Sequence, residues 1–290
     1  MKNSADISTA LHGVSVVSIA LNLPGPTCAR RLADFGATVI KIEPPALLGG
    51  DPLGQYARGY YDELHCGIDI RELNLKTTAD RAALDALLAT TDVFITSQRE
   101  AALVRLQLDW PTVSKRFPQL CQIAIVGSET QDDAGHDLTY ISAAGLATPP
   151  QLPTTLIADL AGAERAVAAT FAALRLKQQD GCGRHLVVSL EAAANAFARP
   201  HQHGLTSSGG LLAGQNPGYN FYQASDGWIA LAALEPHFAA RVAAETNVPL
   251  TVADLRAHFS EHSVRHWQDW ALQHDIPLAI LPKIPPTASQ

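Results

Sequence analysis

Apolar residues change their period several times along the chain, and each change marks an element. Residues 14–20 (VSVVSIA) form a short β-branched run, and the turn-forming Asn22-Leu23-Pro24-Gly25-Pro26-Thr27 follows. An Ala/Arg/Leu stretch of helical character then ends near Gly36, and residues 38–43 (TVIKIE) read as a second strand. Strand, helix and strand within about thirty residues predict a right-handed crossover of a parallel sheet. Residues 44–67, rich in Gly, Pro and Tyr, carry no period and read as irregular. Beyond them the pattern predicts a helix over 79–89, a strand over 92–96 and another strand over 120–126.

Apolar positions at Leu160, Ala163, Val167, Phe171 and Leu174 repeat at helical spacing, with Glu164, Arg165 and Lys177 on the other side. They predict a long helix over 159–178, stopped by Gly181 and Gly183. A strand over 184–190 and a helix over 191–198 complete the alternation. The fold class is therefore α/β, with helices on both faces of a mostly parallel sheet, and such sheets bind ligands at the carboxyl ends of their strands. Residues 200–218, rich in Gly, His, Ser and Asn, read as a linker. Past it, two runs flanking Ser225-Asp226-Gly227 predict a hairpin, helical segments follow over 236–246, 252–258 and 263–274, and residues 276–281 read as a last strand. The expected organisation is a large domain over 1–199, the linker, and a small α+β domain over 219–290. No internal repeat is visible.

Composition narrows the function classes. The chain has 290 residues, 47% of them hydrophobic, enough for a sizeable core. Its formal net charge is -7 and its Lys and Arg residues are scattered, which removes the electrostatic footprint of a nucleic-acid binder. An anionic ligand then requires a local basic pocket. The apolar segment 156–176 is interrupted by Asp159, Glu164, Arg165 and Arg175, so it reads as a core helix rather than a membrane span. The first ten residues lack the apolar region of a signal peptide, and Cys28, Cys66, Cys121 and Cys182 are too widely spaced for a disulfide framework or a CxxC metal site. A reducing, cytoplasmic setting is the expectation.

Three proton carriers stand out. His136 follows a polar loop, and an imidazole titrates near neutrality, where it serves as acid or base. Asp159 stands at the expected start of the long helix, where an aspartate reads as an N-cap and where the helix dipole favours its carboxylate form. Glu235 interrupts an apolar run just before Pro236, the usual place of a first-turn helix carboxylate. Asp137 reads as a cap for the helix that follows it. His201 and His203 look like a metal pair, but no third ligand has suitable spacing, so no metal is expected. An imidazole and a carboxylate on opposite sides of one carbon can take a proton from one face and return one to the other.

Several motifs together resemble class III CoA-transferases, also called the CaiB/BaiF family, which includes the α-methylacyl-CoA racemases. They are Leu11-His12-Gly13-Val14 with the run to Ala20, Pro24-Gly25-Pro26, and residues 32–43 (LADFGATVIKIE). Residues 92–95 (DVFI) with Arg99 look like a further signature. Gly135-His136-Asp137-Leu138-Thr139-Tyr140 is similar to the racemase form of the middle motif, since the transferases generally lack that histidine. Residues 231–238 (LAALEPHF) resemble the racemase motif that supplies a glutamate, and the match runs in register from about Leu11 to Leu281.

The resemblance implies a Rossmann-like large domain, a small domain reached through the linker, and an interlocked homodimer. Acyl-CoA would lie on the large domain, with its thioester at the boundary with the partner's small domain. It implies His136, Asp159 and Glu235 as the catalytic set, with Glu235 holding the tautomer of His136. Lys41 and Arg99 occupy positions that contact the CoA phosphates, and Asp137 beside the histidine joins them in the CoA-binding set. No cofactor beyond the CoA of the substrate is implied. Relatives usually carry a basic cluster before the Asn-Leu-Lys-Thr stretch (here 74–77), where this chain keeps Arg71, and they continue well past residues 276–281 into a return to the large domain. Three readings follow. The first is a racemase or epimerase of 2-methyl-branched acyl-CoA. The second is CoA transfer through an aspartyl-CoA intermediate on Asp159, and the third is a degenerate, non-catalytic CoA-binding dimer.

Overall fold

The computed structural model describes residues 6–130 and 134–282. They form two compact units, Met1–Ala198 and Arg199–Gln290.

In the first unit six parallel strands, β1 (Ser15–Ser18), β2 (Thr38–Glu43), β3 (Asp69–Glu72), β4 (Val93–Thr96), β5 (Cys121–Val126) and β6 (His185–Ser189), lie in the order β3-β2-β1-β4-β5-β6. The order reverses between β1 and β4, and that switch point leaves a crevice at the carboxyl ends of the strands. β4 (VFIT) is buried throughout and β1 (SVVS) is buried from Val16 to Ser18, as expected of central strands covered on both faces. Alternate residues face opposite layers. Val16, Ile95 and Ile123 pack against Cys28 and Leu32 of α1 (Pro24–Asp34) and against Ala163, Ala166 and Val167 of a long helix, Ile157–Asp180. Val17, Phe94 and Ile42 pack on the other face against Leu84 and Leu88 of α2 (Thr78–Leu88) and against Leu103, Leu108 and Val113. The N-terminal crossover predicted from the pattern is thus built as expected.

Two expectations are corrected. Residues 44–67 are not irregular, because they carry two short helices, Pro52–Tyr56 and Arg58–Leu64, whose Leu53, Tyr61 and Leu64 cover Leu23. The first of them begins at Pro52 with Asp51 as its N-cap. β3, of sequence DIRE, was hidden by its polarity, since it is an edge strand with most of its residues exposed.

The second unit is a three-stranded antiparallel sheet, β7 (Tyr219–Ala224), β8 (Gly227–Ala232) and β9 (Leu278–Ile280), with β8 in the centre. Tyr222, Ile229 and Leu231 face three helices, Pro236–Thr246, Val252–Phe259 and Val264–Gln273. Trp267 anchors this core, and its indole N–H donates to the carbonyl of Phe259 at 2.7 Å. Residues 200–218 begin with the end of a one-turn helix, Arg199–Gln202, and continue as turns. Among the described residues no helix is long and apolar enough to cross a membrane.

Candidate active site

A cavity of about 840 Å³ opens over the carboxyl ends of β1, β4, β5 and β6 in the first unit. Leu21, Asn22 and Pro24 reach it from the end of β1, and Ser97, Gln98 and Arg99 from the end of β4. Gly127–Thr130 leave β5, Leu190 leaves β6, and Gly135, His136, Tyr140 and Asp159 close the side.

The turn between β1 and α1 is set by close approach. A Cβ on Gly25 would fall 2.4 Å from the Cβ of Ala20, so only glycine lets the chain double back here. Just before it, Asn22 takes a left-handed φ of 68°. On the opposite wall, a Cβ on Gly127 or on Gly135 would sit 2.2 Å from the Tyr140 hydroxyl. Tyr140 therefore occupies space that two glycines clear, which seats the His136 segment beside the end of β5.

His136 is the N-cap of the helix Asp137–Ala143, with extended backbone at φ −138° and ψ 168°. Thr139 locks that backbone. Its Oγ1 accepts the His136 N–H at 3.0 Å and donates to the His136 carbonyl at 2.7 Å. The main chain is fixed while the exposed imidazole lines the cavity.

Asp159 is the third residue of the helix Ile157–Asp180, whose N-cap is Leu156. Its side chain is accordingly not the cap expected from sequence. Asp137 supplies that service instead. Its buried carboxylate Oδ1 accepts the backbone N–H of Asp159 at 3.1 Å, so it caps the long helix rather than the short one it opens.

Asp159 is 9% exposed, and burial, with the Asp137 charge beside it, pushes its carboxyl up to about 7. The expectation that the helix dipole keeps it ionised is corrected. Loss of water and a neighbouring carboxylate outweigh about half a unit of dipole charge at the helix end. At neutral pH the group is poised between acid and base.

The two cations of the expected CoA-binding set part company. Arg99, the N-cap of the helix Glu100–Arg105, is exposed on the cavity wall. Lys41 is sealed inside at 0% exposure. Its ammonium group hydrogen-bonds Asp51 Oδ2 and His65 Nε2, the latter at 2.9 Å, and forms an ion pair with Glu43 Oε2 at 3.1 Å. His65 Nδ1 lies 2.6 Å from the carbonyl of Tyr61, which makes Nδ1 the donor and leaves Nε2 to accept. Burial and the Lys41 charge hold His65 below its ordinary pKa, in keeping with a neutral ring. Lys41 in this structure has no surface to offer a phosphate.

Glu235 is exposed at the N-cap of the helix Pro236–Thr246 in the second unit. Among the described residues no group of three or more His, Cys, Asp or Glu is placed to hold a metal ion.

Sequence reasoning passed over Asn22, Asp51 and Tyr56. Asp51 Oδ1 accepts the N–H groups of Asn22 at 2.9 Å and Leu53 at 3.0 Å, and the Tyr56 hydroxyl donates to Asn22 Oδ1. A Gly-Gly-Asp-Pro stretch is a readable cap signal for Asp51. Its link back to residue 22 is not readable, because it spans 29 positions.

Comparison with known proteins places this architecture. The sequence profile described as CoA-transferase family III matches residues 11–283. The chain is 28% identical over 251 residues to the human alpha-methylacyl-CoA racemase, a match covering 79% of this chain and 63% of that protein. It is 32% identical over 157 residues to the cinnamoyl-CoA:phenyllactate CoA-transferase of Clostridium sporogenes, covering 50% of this chain and 37% of that one. A solved hypothetical protein from Mycobacterium tuberculosis shares the fold with a TM-score of 0.80 at 20% identity, over 94% of this chain and 84% of that one. With residues 11–283, nearly its whole length, inside the family profile, the chain belongs to CoA-transferase family III.

Proposed function

We propose that this protein handles acyl-CoA thioesters and interconverts the configuration at the α-carbon of 2-methyl-branched acyl-CoA substrates. The observation that carries the reading is that His136 and Asp159, distant in sequence, line one cavity at the carboxyl ends of the parallel strands. An α-hydrogen beside a thioester is acidic enough for a side-chain base once the carbonyl oxygen is stabilised. One of the pair removes the proton, the C–H electrons move into the carbon–carbon bond, and the thioester oxygen takes the charge as an enolate. The other then delivers a proton to the opposite face, and the pair exchanges protons with solvent between turnovers.

A carboxyl held near 7 suits this exchange, since it is populated in both forms at neutral pH. Arg99 on the wall pairs with a CoA phosphate, the charge complement an acidic chain needs locally. A second reading, CoA transfer through an acyl anhydride and then a thioester on Asp159, is supported by the transferases among the relatives. It requires Asp159 and leaves His136 idle.

Incubation of a 2-methylacyl-CoA in heavy water separates the two. The expected result is deuterium at the α-carbon, lost in both His136→Ala and Asp159→Asn. No α-deuterium in the unmodified protein, together with a CoA adduct on Asp159 in the mass spectrum during turnover, would reverse the order of the readings.

A further inference from the structure

An enolate needs a donor at the oxygen where its charge gathers, and the first-turn N–H groups of the Asp159 helix are the obvious supply. One of them is spent, because the Asp159 N–H is held by Asp137. Across the cavity, Asn22 is restrained at three points. Its backbone is in the left-handed region at φ 68°, its N–H is fixed at 2.9 Å on Asp51 Oδ1, and its side-chain oxygen receives the Tyr56 hydroxyl. Asp51 is itself held through its other oxygen by the fully buried Lys41. A chain of contacts from the interior to the cavity wall therefore ends on one carboxamide.

As a turn residue alone, Asn22 would be a compromise, since glycine adopts that φ without strain. What asparagine adds is the amide. With Oδ1 engaged by Tyr56, the two Nδ2 protons are the part of the group left for a ligand. Partial loss of water at its hydroxyl, with the charges of Asp159 and Asp51, raises the pKa of the otherwise exposed Tyr56, so the phenol stays protonated and remains a donor to that oxygen. The influence of Asp159 on Tyr56 also places the two groups in one electrostatic neighbourhood. Residues held in sparsely populated backbone conformations gather at functional sites, and here the surrounding bonds over-determine the conformation.

We propose that Asn22 is a catalytic residue whose Nδ2 donates a hydrogen bond to the thioester carbonyl oxygen of the acyl-CoA, with Tyr56 acting through it as a positioning residue. The inference rests on the acyl-CoA reading above. As the α-proton leaves to His136 or Asp159, the carbonyl π pair moves onto oxygen and the Asn22 hydrogen bond shortens. No proton passes from Asn22, and on reprotonation the same electrons return to the carbonyl.

Asn22→Gly tests this without backbone strain, because glycine keeps the left-handed turn. Isobutyryl-CoA carrying ¹³C in its carbonyl serves as the probe, read by α-deuterium exchange and by the infrared carbonyl stretch of the bound thioester. Loss of one such donor typically costs about 100-fold in kcat. The expected outcome is a drop of that size in exchange, with KM changed less than about threefold. The carbonyl band, lowered in the unmodified protein, should move back toward its solution position. Tyr56→Phe should slow exchange less than Asn22→Gly, and the double variant should be no slower than Asn22→Gly, since Tyr56 acts through the group already removed.

Equal exchange and an equal carbonyl band in Asn22→Gly, with its fold intact by circular dichroism, would overturn the assignment and leave the racemase reading standing. An Asn22-dependent carbonyl shift with no exchange in the unmodified protein would uphold the assignment and remove the racemase reading instead. Additive losses in the double variant would overturn the positioning role of Tyr56.

Discussion

Asp159→Asn should make the protein more stable at alkaline pH, and the size of the gain follows from the raised carboxyl. The group stands near 7 in the fold against 3.8 as its ordinary value, a difference of about three units. At about 1.36 kcal/mol per unit, ionised Asp159 costs the folded state on the order of 4 kcal/mol. The sign comes from proton counting. Between pH 4 and 7 the folded state holds this proton and the unfolded chain does not, so stability falls as pH rises through that window. Below about pH 3.8 the group costs nothing, and above about 7 the full cost is present. Asparagine cannot ionise, but its amide needs partners in a half-dry site, a penalty of about 1 kcal/mol. Urea denaturation of both proteins at several pH values, followed by amide circular dichroism, gives the difference in stability with the titrating groups that do not face Asp159 cancelled, leaving Asp159 and its neighbour Asp137. It should start slightly against the variant near pH 4, rise by about 1.4 kcal/mol per pH unit, and level off near 3 kcal/mol in its favour above pH 8. A difference that stays flat with pH, or that favours aspartate at high pH, would refute the reasoning and show Asp159 to be an ordinary ionised carboxylate.

The two cations should separate in their effects. Lys41→Ala leaves Asp51 and Glu43 facing each other inside the unit, and breaking a buried pair in this way costs about 3–5 kcal/mol. A fall in CoA affinity at unchanged urea midpoint would instead make Lys41 a ligand contact. Arg99→Ala should leave stability within about 0.5 kcal/mol, because the residue is exposed. It should weaken CoA binding several-fold at low ionic strength, and calorimetry at rising salt should show the gap closing as screening grows. A gap independent of salt would remove the phosphate contact.

Much of the fold was legible because it is written in short-range pattern. Val16 and Val17, or Phe94 and Ile95, point to opposite layers, and a β-branched run records this within a few residues. The two helices in residues 44–67 escaped because they are short, hold Gly54 and Gly59, and owe their place to packing on Leu23 rather than to propensity. The place of the cavity was legible too, since parallel α/β sheets bind ligands at the carboxyl ends of their strands, and the cavity opens there. The physical state of its residues was not. Lys41 reads as a surface charge at the end of a strand. It is buried because Asp51 and His65, at the ends of the two short helices, close over it beside Glu43 of its own strand and compensate its charge.

Asp159 shows why such states resist reading from sequence. Seen locally, a helix-opening aspartate gains from the dipole and from free N–H groups, and both effects lower its pKa. In the folded unit a carboxylate 22 residues earlier has already taken its N–H, and its side chain has lost most of its water. Every local term favours ionisation, and every term arising from chain folding opposes it. The folded terms win by about three units, and a carboxyl so placed is populated in both forms near neutral pH. The same terms tie function to instability. Asp159→Asn removes the buried charge, which strengthens the fold above neutral pH and takes away the poise, so a catalytic role requires the unfavourable arrangement to be kept.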